Sequence, residues 1–252
     1  MESTGDIPRH SVFNADVLFK DLIYIFGGQE SLAYKTNETF SLCPTSGVFC
    51  RLPVIGARPS PRCRLQGWCH HCEAKLFFFA GVAEAEAGSL VAGDTIRDKD
   101  NLLCCLDLAT NTWSKPETNG NGPSPREAYA VATVGNHVVI HGGQGMGLLN
   151  DTHMLDMETM TWTSLTMGGP RVYGHSLSPF AVKHFLLAGG DGASKEVWIL
   201  DLRDLTWKKR EESLSDSLYC HRAVVTKSMK GLSIVCLGGP SHVKNMVVFE
   251  VE

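Results

Sequence analysis

Short β-rich apolar runs recur along this chain, and each ends at a pair of small residues. The runs are Leu22 to Phe26, Leu76 to Phe79, Val138 to His141, Phe185 to Leu187 and Ser233 to Leu237. They lead into Gly27-Gly28, Ala80-Gly81, Gly142-Gly143, Gly189-Gly190 and Gly238-Gly239, whose first members lie 53, 62, 47 and 49 residues apart. A second marker precedes each break: Pro8-Arg9, Pro61-Arg62, Pro125-Arg126, Pro170-Arg171 and His221-Arg222. The arginine-to-glycine offsets are 18, 18, 16, 18 and 16. All are even, so the arginines are expected to keep one facing relative to the glycines, because strand side chains alternate with period two.

A third marker closes the unit. Trp113, Trp162 and Trp207 each follow an aspartate (Asp107, Asp156, Asp201) by six residues. In the first repeat Cys43 stands at the aspartate position and Phe49 at the tryptophan position. The unit therefore predicts a four-stranded antiparallel blade: an inner strand after the Pro-Arg, a second ending at the glycines, a third carrying Leu-Asp and a fourth carrying the tryptophan. Repetition of about 50 residues with four short strands indicates an all-β propeller. The repeats are read as 8–52, 61–115, 125–165, 170–210 and 219–252, after a short N-terminal segment 1–7. The fifth is incomplete, because it ends at its third strand, Met246 to Val251. Seven residues before Pro8 are too few to supply a fourth, so an open blade edge available for pairing is expected.

With these three markers in place the chain resembles the kelch-repeat family over nearly all of residues 8 to 252. The resemblance implies a kelch-type β-propeller that binds proteins through its loops. The segments Thr112 to Thr118, Gly122 to Arg126 and Ile140 to Gly143 are similar to kelch-only proteins. These include a kelch-motif Rab effector and kelch-domain substrate receptors of cullin-type ubiquitin ligases. In the receptors, arginines follow a double glycine; here Gln144 and Leu149 occupy that loop. No cullin-binding tail is visible after Glu252, so a ligase role would need a bridging chain.

At 252 residues, 43% hydrophobic and 20% charged, the chain can bury a substantial core. A net charge of −4 argues against a nucleic-acid binder. No apolar run reaches the roughly 18 residues of a membrane-spanning helix, and no secretory signal is visible at the N-terminus. A cytoplasmic or nuclear location is expected, with the 9 cysteines reduced and the sequon Asn37-Glu38-Thr39 unused.

The sharpest functional expectation is a ring of arginines. Arg9, Arg62, Arg126, Arg171 and Arg222, read as equivalent positions, would gather at one mouth of the propeller. Guanidinium groups there suit a carboxylate or phosphate ligand through bidentate charge-assisted hydrogen bonds, and the resemblance implies a protein partner bearing an acidic peptide, because arginines at this position bind acidic peptides in some similar kelch proteins. The alternative is that each arginine ties a loop within its own blade. Cys63, Cys69, His70, His71 and Cys72 form the most metal-like cluster, but successive strand residues point to opposite faces, so packing is expected instead. Gly142 to Gly147 opens no helix and fails as a phosphate cradle. Nucleophile elbows and zinc-protease helices are absent from the sequence, so neither a catalytic residue nor a cofactor is assigned. The long insertion Val82 to Asn101 reads as a tolerated loop or a partner-binding one.

Overall fold

The computed structural model describes residues 3–31, 34–70, 72–83, 102–165, 168–181, 183–193, 195–214, 217–228, 231–238 and 245–248; of 226–228, 231–234, 237–238 and 245–248 it describes the backbone only. It contains strands and turns and, among the described residues, no helix. Nearly all of the insertion expected at Val82 to Asn101, together with Gly239 and the last residues of the fifth repeat, lies outside the described residues.

The first blade comprises β1 (Thr4–Gly5), β2 (Ala15–Phe19), β3 (Leu22–Phe26), β4 (Thr39–Cys43) and β5 (Val48–Arg51), in the order β1-β5-β4-β3-β2. The second takes β6 (Ile55–Gly56), β8 (Gln66–His70), β9 (Lys75–Phe79), β11 (Leu103–Asp107) and β12 (Thr112–Ser114); β7 (Arg62–Cys63) pairs separately with β10 (Val82–Ala83). The third comprises β13 (Asn119–Gly120), β14 (Ala130–Val134), β15 (His137–His141), β16 (Thr152–Asp156) and β17 (Thr161–Ser164). The fourth has β18 (Ser176–Ala181), β19 (His184–Ala188), β20 (Glu196–Asp201) and β21 (Thr206–Ser213). The fifth has β22 (His221–Ser228), β23 (Gly231–Gly238) and β24 (Asn245–Val248). The chain divides into two compact units, Met1–Glu117 with Pro125–Glu127, and Thr118–Ser124 with Ala128–Glu252.

In blades one to four, four antiparallel strands match the expected order, three are described in the fifth, and the markers fall in register. Leu42 opposes Phe49 as Leu106 opposes Trp113, so Phe49 does occupy the tryptophan position. The sequence pattern did not show the fifth strand in blades one to three. A dipeptide ending in glycine (Gly5, Gly56, Gly120) lies parallel along the tryptophan strand. Thus Thr4–Gly5 joins the first blade, not the last.

The aspartates end their strands by turn chemistry. Asp107 Oδ1 accepts the N–H groups of Ala109 and Thr110, and Asp156 Oδ1 those of Glu158 and Thr159. These bonds hold both carboxyls below the usual range. In the first unit Trp113, Phe26 and Phe78 meet in one buried cluster, with ring centroids 4.8–5.5 Å apart. Burying each such ring contributes roughly 1.5–3 kcal/mol. In the second unit Phe185, Leu187, Leu200 and Val139 form the equivalent core.

Candidate partner-binding face

The double glycines act as sockets for the next blade. The N–H of Gly28 donates to Arg62 O at 2.8 Å, Gly81 to Arg126 O at 3.0 Å, Gly143 to Val172 O at 2.8 Å and Gly190 to Leu218 O at 2.6 Å. Two residues after each accepting carbonyl stands a residue with positive φ: Arg64, Ala128, Gly174 and Cys220, with Phe13 at the same point of the first blade. Further bonds link these residues within each unit, Arg64 N to Phe13 O, Gly174 N to Ala128 O and Cys220 N to Gly174 O.

This register corrects the expected equivalence of the five arginines. Arg62 and Arg126 share a position, but in the other blades that position is held by Ser11, Val172 and Leu218. The lead-in segments differ in length, so a constant sequence offset did not mean a constant place. Arg62 is 2% exposed and donates to Ala80 O at 2.9 Å, Ser60 O at 3.1 Å and Ser60 Oγ at 2.8 Å. Arg126 is fully buried. Arg171 is exposed and donates to Leu148 O at 3.1 Å, and Arg222 is exposed on β22 opposite Leu237. Arg9 is exposed as well, with 85% of its side chain in solvent and Glu30 at 3.8 Å.

Exposed apolar side chains concentrate where inner strands begin and second strands end. In the first unit these are Ile7, Val12, Phe13 and Tyr34; in the second they are Met146 (97% exposed), Leu148 and Tyr219. Fewer lie elsewhere, namely Leu18, Ile55, Leu205 and Val224. Arg64 stacks its guanidinium over Phe13 at 4.9 Å and pairs with Glu127 at 3.1 Å, which fixes that corner of the face. In the same unit an open cleft of about 750 Å³ is lined by three cations, Arg9, Lys35 and Arg51, and three carboxylates, Asp6, Glu30 and Glu38.

A buried histidine group in the second unit escaped the sequence reading. His141 shares a hydrogen bond with Thr152 Oγ1 at 2.9 Å, its other ring nitrogen lies 3.2 Å from Pro170 O, and its ring meets His175 edge-on at 5.5 Å. Neither ring nitrogen of His175 has a hydrogen-bond partner among the described residues. His221 contacts Ser176 Oγ at 3.0 Å. Burial lowers the pKa of His175 far below its ordinary value, and that of His221 to about 4. The readable signal was the histidine after Tyr173-Gly174 and after Tyr219-Cys220: His221, not Arg222, matches His175. Among the described residues no three histidine, cysteine or acidic side chains gather as metal ligands. Cys63 lies 3.7 Å from Gln29 Oε1 and Cys69 lies 3.6 Å from Leu18 O; His71 is outside the described residues.

Blades with docking glycines, and in each unit loops that bear exposed apolar and basic groups, define the class: an all-β repeat protein of the interaction-scaffold type. The family model described as KLHDC2/KLHL20/DRC7 Kelch-repeats domain matches residues 9–239, and the chain belongs to the kelch-repeat family, with its β-propeller fold. It is 31% identical over 215 residues to Kelch domain-containing protein 2 of Bos taurus, covering 78% of this chain and 52% of that protein. It is 27% identical over 229 residues to Kelch domain-containing protein 1 of Homo sapiens, covering 81% and 56%. It is 36% identical over 218 residues to Acyl-CoA-binding domain-containing protein 4 of Arabidopsis thaliana, covering 82% and 32%. The chain spans about half the length of the first two relatives.

Proposed function

We propose that this protein is a non-catalytic scaffold that holds a protein partner on the double-glycine ends of its blades. The observation that carries this reading is the placement of Ile7, Val12, Phe13 and Tyr34 in one unit, and Met146, Leu148 and Tyr219 in the other, on the loops at that end of their sheets. Exposed apolar groups framed by charge mark interaction surfaces rather than solvated loops. The exposed cations Arg9 and Arg171 give the same loops a means of engaging acidic segments. Arg62 is spent on its own blade, so its contribution is architectural.

Comparative affinity purification from cell lysate tests the reading. A variant carrying Ile7→Asp, Met146→Asp and Tyr219→Asp is expected to lose partners that wild type retains. Leu205→Asp, in the turn at the opposite end of its blade, is expected to keep them. Equal partner sets for all three proteins would refute the loop-face assignment.

A further inference from the structure

Two buried histidines plug the glycine sockets of the second unit. A Cβ built on Gly142 would lie 3.1 Å from Cε1 of His175, and one on Gly189 would lie 3.0 Å from Cε1 of His221. Each imidazole thus packs against the first glycine of the blade before its own. The second glycines, Gly143 and Gly190, donate to Val172 O and Leu218 O, three residues ahead of the two histidines. In the first three blades the same point of the repeat is held by Asn14, Leu65 and Tyr129. None of those side chains takes up a proton near neutral pH; an imidazole does.

The surroundings do not accommodate a charged ring. Both ring nitrogens of His175 and Nδ1 of His221 are buried without a hydrogen-bond partner among the described residues, and Nε2 of His221 meets Ser176 Oγ at 3.0 Å. The charges that bear on the rings are like charges: His141 from β15 and His221 on His175, and Arg222 on His221. Only the backbone of His141 favours a charged His175. Asp191, on the loop after Gly190, engages Tyr173, and Arg171 donates to Leu148 O. An imidazolium presents two N–H donors and needs acceptors for both, so a ring that takes up a proton is driven from its socket.

We propose that His175 and His221 form an acid-sensitive latch: protonated from solvent, the rings leave their sockets, and the docking bonds of Gly143 to Val172 and Gly190 to Leu218 open with them. The loops that carry Met146, Leu148 and Tyr219 hang from those bonds. Leu149 N donates to Gly143 O at 2.9 Å, and Tyr219 directly follows Leu218. The sockets of the first unit, where Gly28 and Gly81 dock on Arg62 O and Arg126 O, have no histidine at that point. An opened ring regains the ordinary value of 6.5, above that of either socketed ring, so opening is favoured as pH falls through 6.5. Opening needs no partner; a weaker hold on a partner at mild acidity rests on the scaffold reading.

The test is hydrogen exchange read by mass spectrometry at pH 7.5, 6 and 5, corrected for the pH dependence of chemical exchange. In wild type, peptides containing Gly143 and Gly190 should lose protection as pH falls, by about thirtyfold from pH 7.5 to 5 for one proton taken up. Peptides containing Gly28 and Gly81 should keep theirs. The double variant His175→Leu with His221→Leu copies the leucine of the second blade and should abolish the difference between the units. If that variant does not fold, the comparison of the two units within wild type decides. Equal loss at all four sockets, no loss at any, or an acid response that persists in the folded double variant would overturn the latch. None of these results would touch the loop-face scaffold, which partner capture at pH 7.5 tests by itself.

Discussion

The carbonyl oxygen of Arg62 accepts the N–H of Gly28 at 2.8 Å, and a Cβ built on the neighbouring Gly27 would lie 2.5 Å from that same oxygen. That oxygen explains the missing side chain at Gly27; at Gly28 a Cβ would lie 2.9 Å from Ser11 Oγ instead. Gly142 is in the same state as Gly27, 2.7 Å from Val172 O with φ of 60°. Ala80 shows that the backbone conformation alone is tolerable, since it holds φ of 48° with a side chain. Gly142→Ala is therefore expected to cost about 2–4 kcal/mol, from strain plus a backbone clash. Ala80→Gly should change stability by less than about 1 kcal/mol. Urea denaturation of the two variants checks both.

Arg62 is a structural tie. Removing its guanidinium would leave the carbonyl of Ala80 without this donor and open a void in a buried site. Arg62→Ala should lower stability by about 2–4 kcal/mol, whereas Arg171→Ala, at an exposed position, should stay within about 0.5 kcal/mol. Thermal unfolding of both proteins separates the two roles that a common Pro-Arg signature conceals.

The fold was legible because its markers are local. Glycine pairs, aspartate turns and tryptophan strands each answer to a nearby steric or hydrogen-bonding need, so spacing alone exposed them. The face was less legible. Arg62 and Arg171 both follow a proline, yet one is buried and the other open, because their lead-in segments carry different numbers of residues before the inner strand. Sequence offsets cannot register that difference; the hydrogen bonds of Gly28 and Gly143 do. The buried group of His141, His175 and His221 draws its residues from separate repeats, and its one local trace, the histidine shared by Tyr173-Gly174-His175 and Tyr219-Cys220-His221, was overlooked beside the Arg222 alignment. The parallel strand of Gly5, Gly56 and Gly120 was missed because two residues are too few to show a period.

Cys43 stands where other blades place the turn-capping aspartate. Hydrogen bonds from Ser46, then Thr45, bring its thiol to about 7, while burial raises Cys105 and Cys236 to about 11. At pH 7.5 a large share of Cys43 is thiolate. Brief iodoacetamide labelling followed by mass spectrometry should mark Cys43 well ahead of Cys105 and Cys236. Its rate should fall as pH drops below 7. Equal labelling of the three would contradict the capped-thiolate assignment.

The histidines of the second unit set an acid limit on stability. His221 is neutral in the fold with a pKa of about 4, against 6.5 for an ordinary histidine, and His175 is shifted in the same direction. A base whose folded value is depressed contributes its full stabilisation above the unfolded value. That stabilisation is lost as pH falls from about 6.5 toward the folded value, because the unfolded chain takes up protons first. For His221 the loss across that window is on the order of 3 kcal/mol. The carboxyls of Asp107 and Asp156, held below the ordinary 3.8 by their turns, keep their stabilisation through this range and lose it only as pH falls further, so the windows separate. Urea midpoints measured at pH 7.5, 6 and 5 should fall progressively. The His221→Gln variant, which keeps a polar side chain near Ser176 but cannot take up the proton, should show a shallower fall over the same range. An unchanged slope would mean that the acid sensitivity arises outside the histidine group.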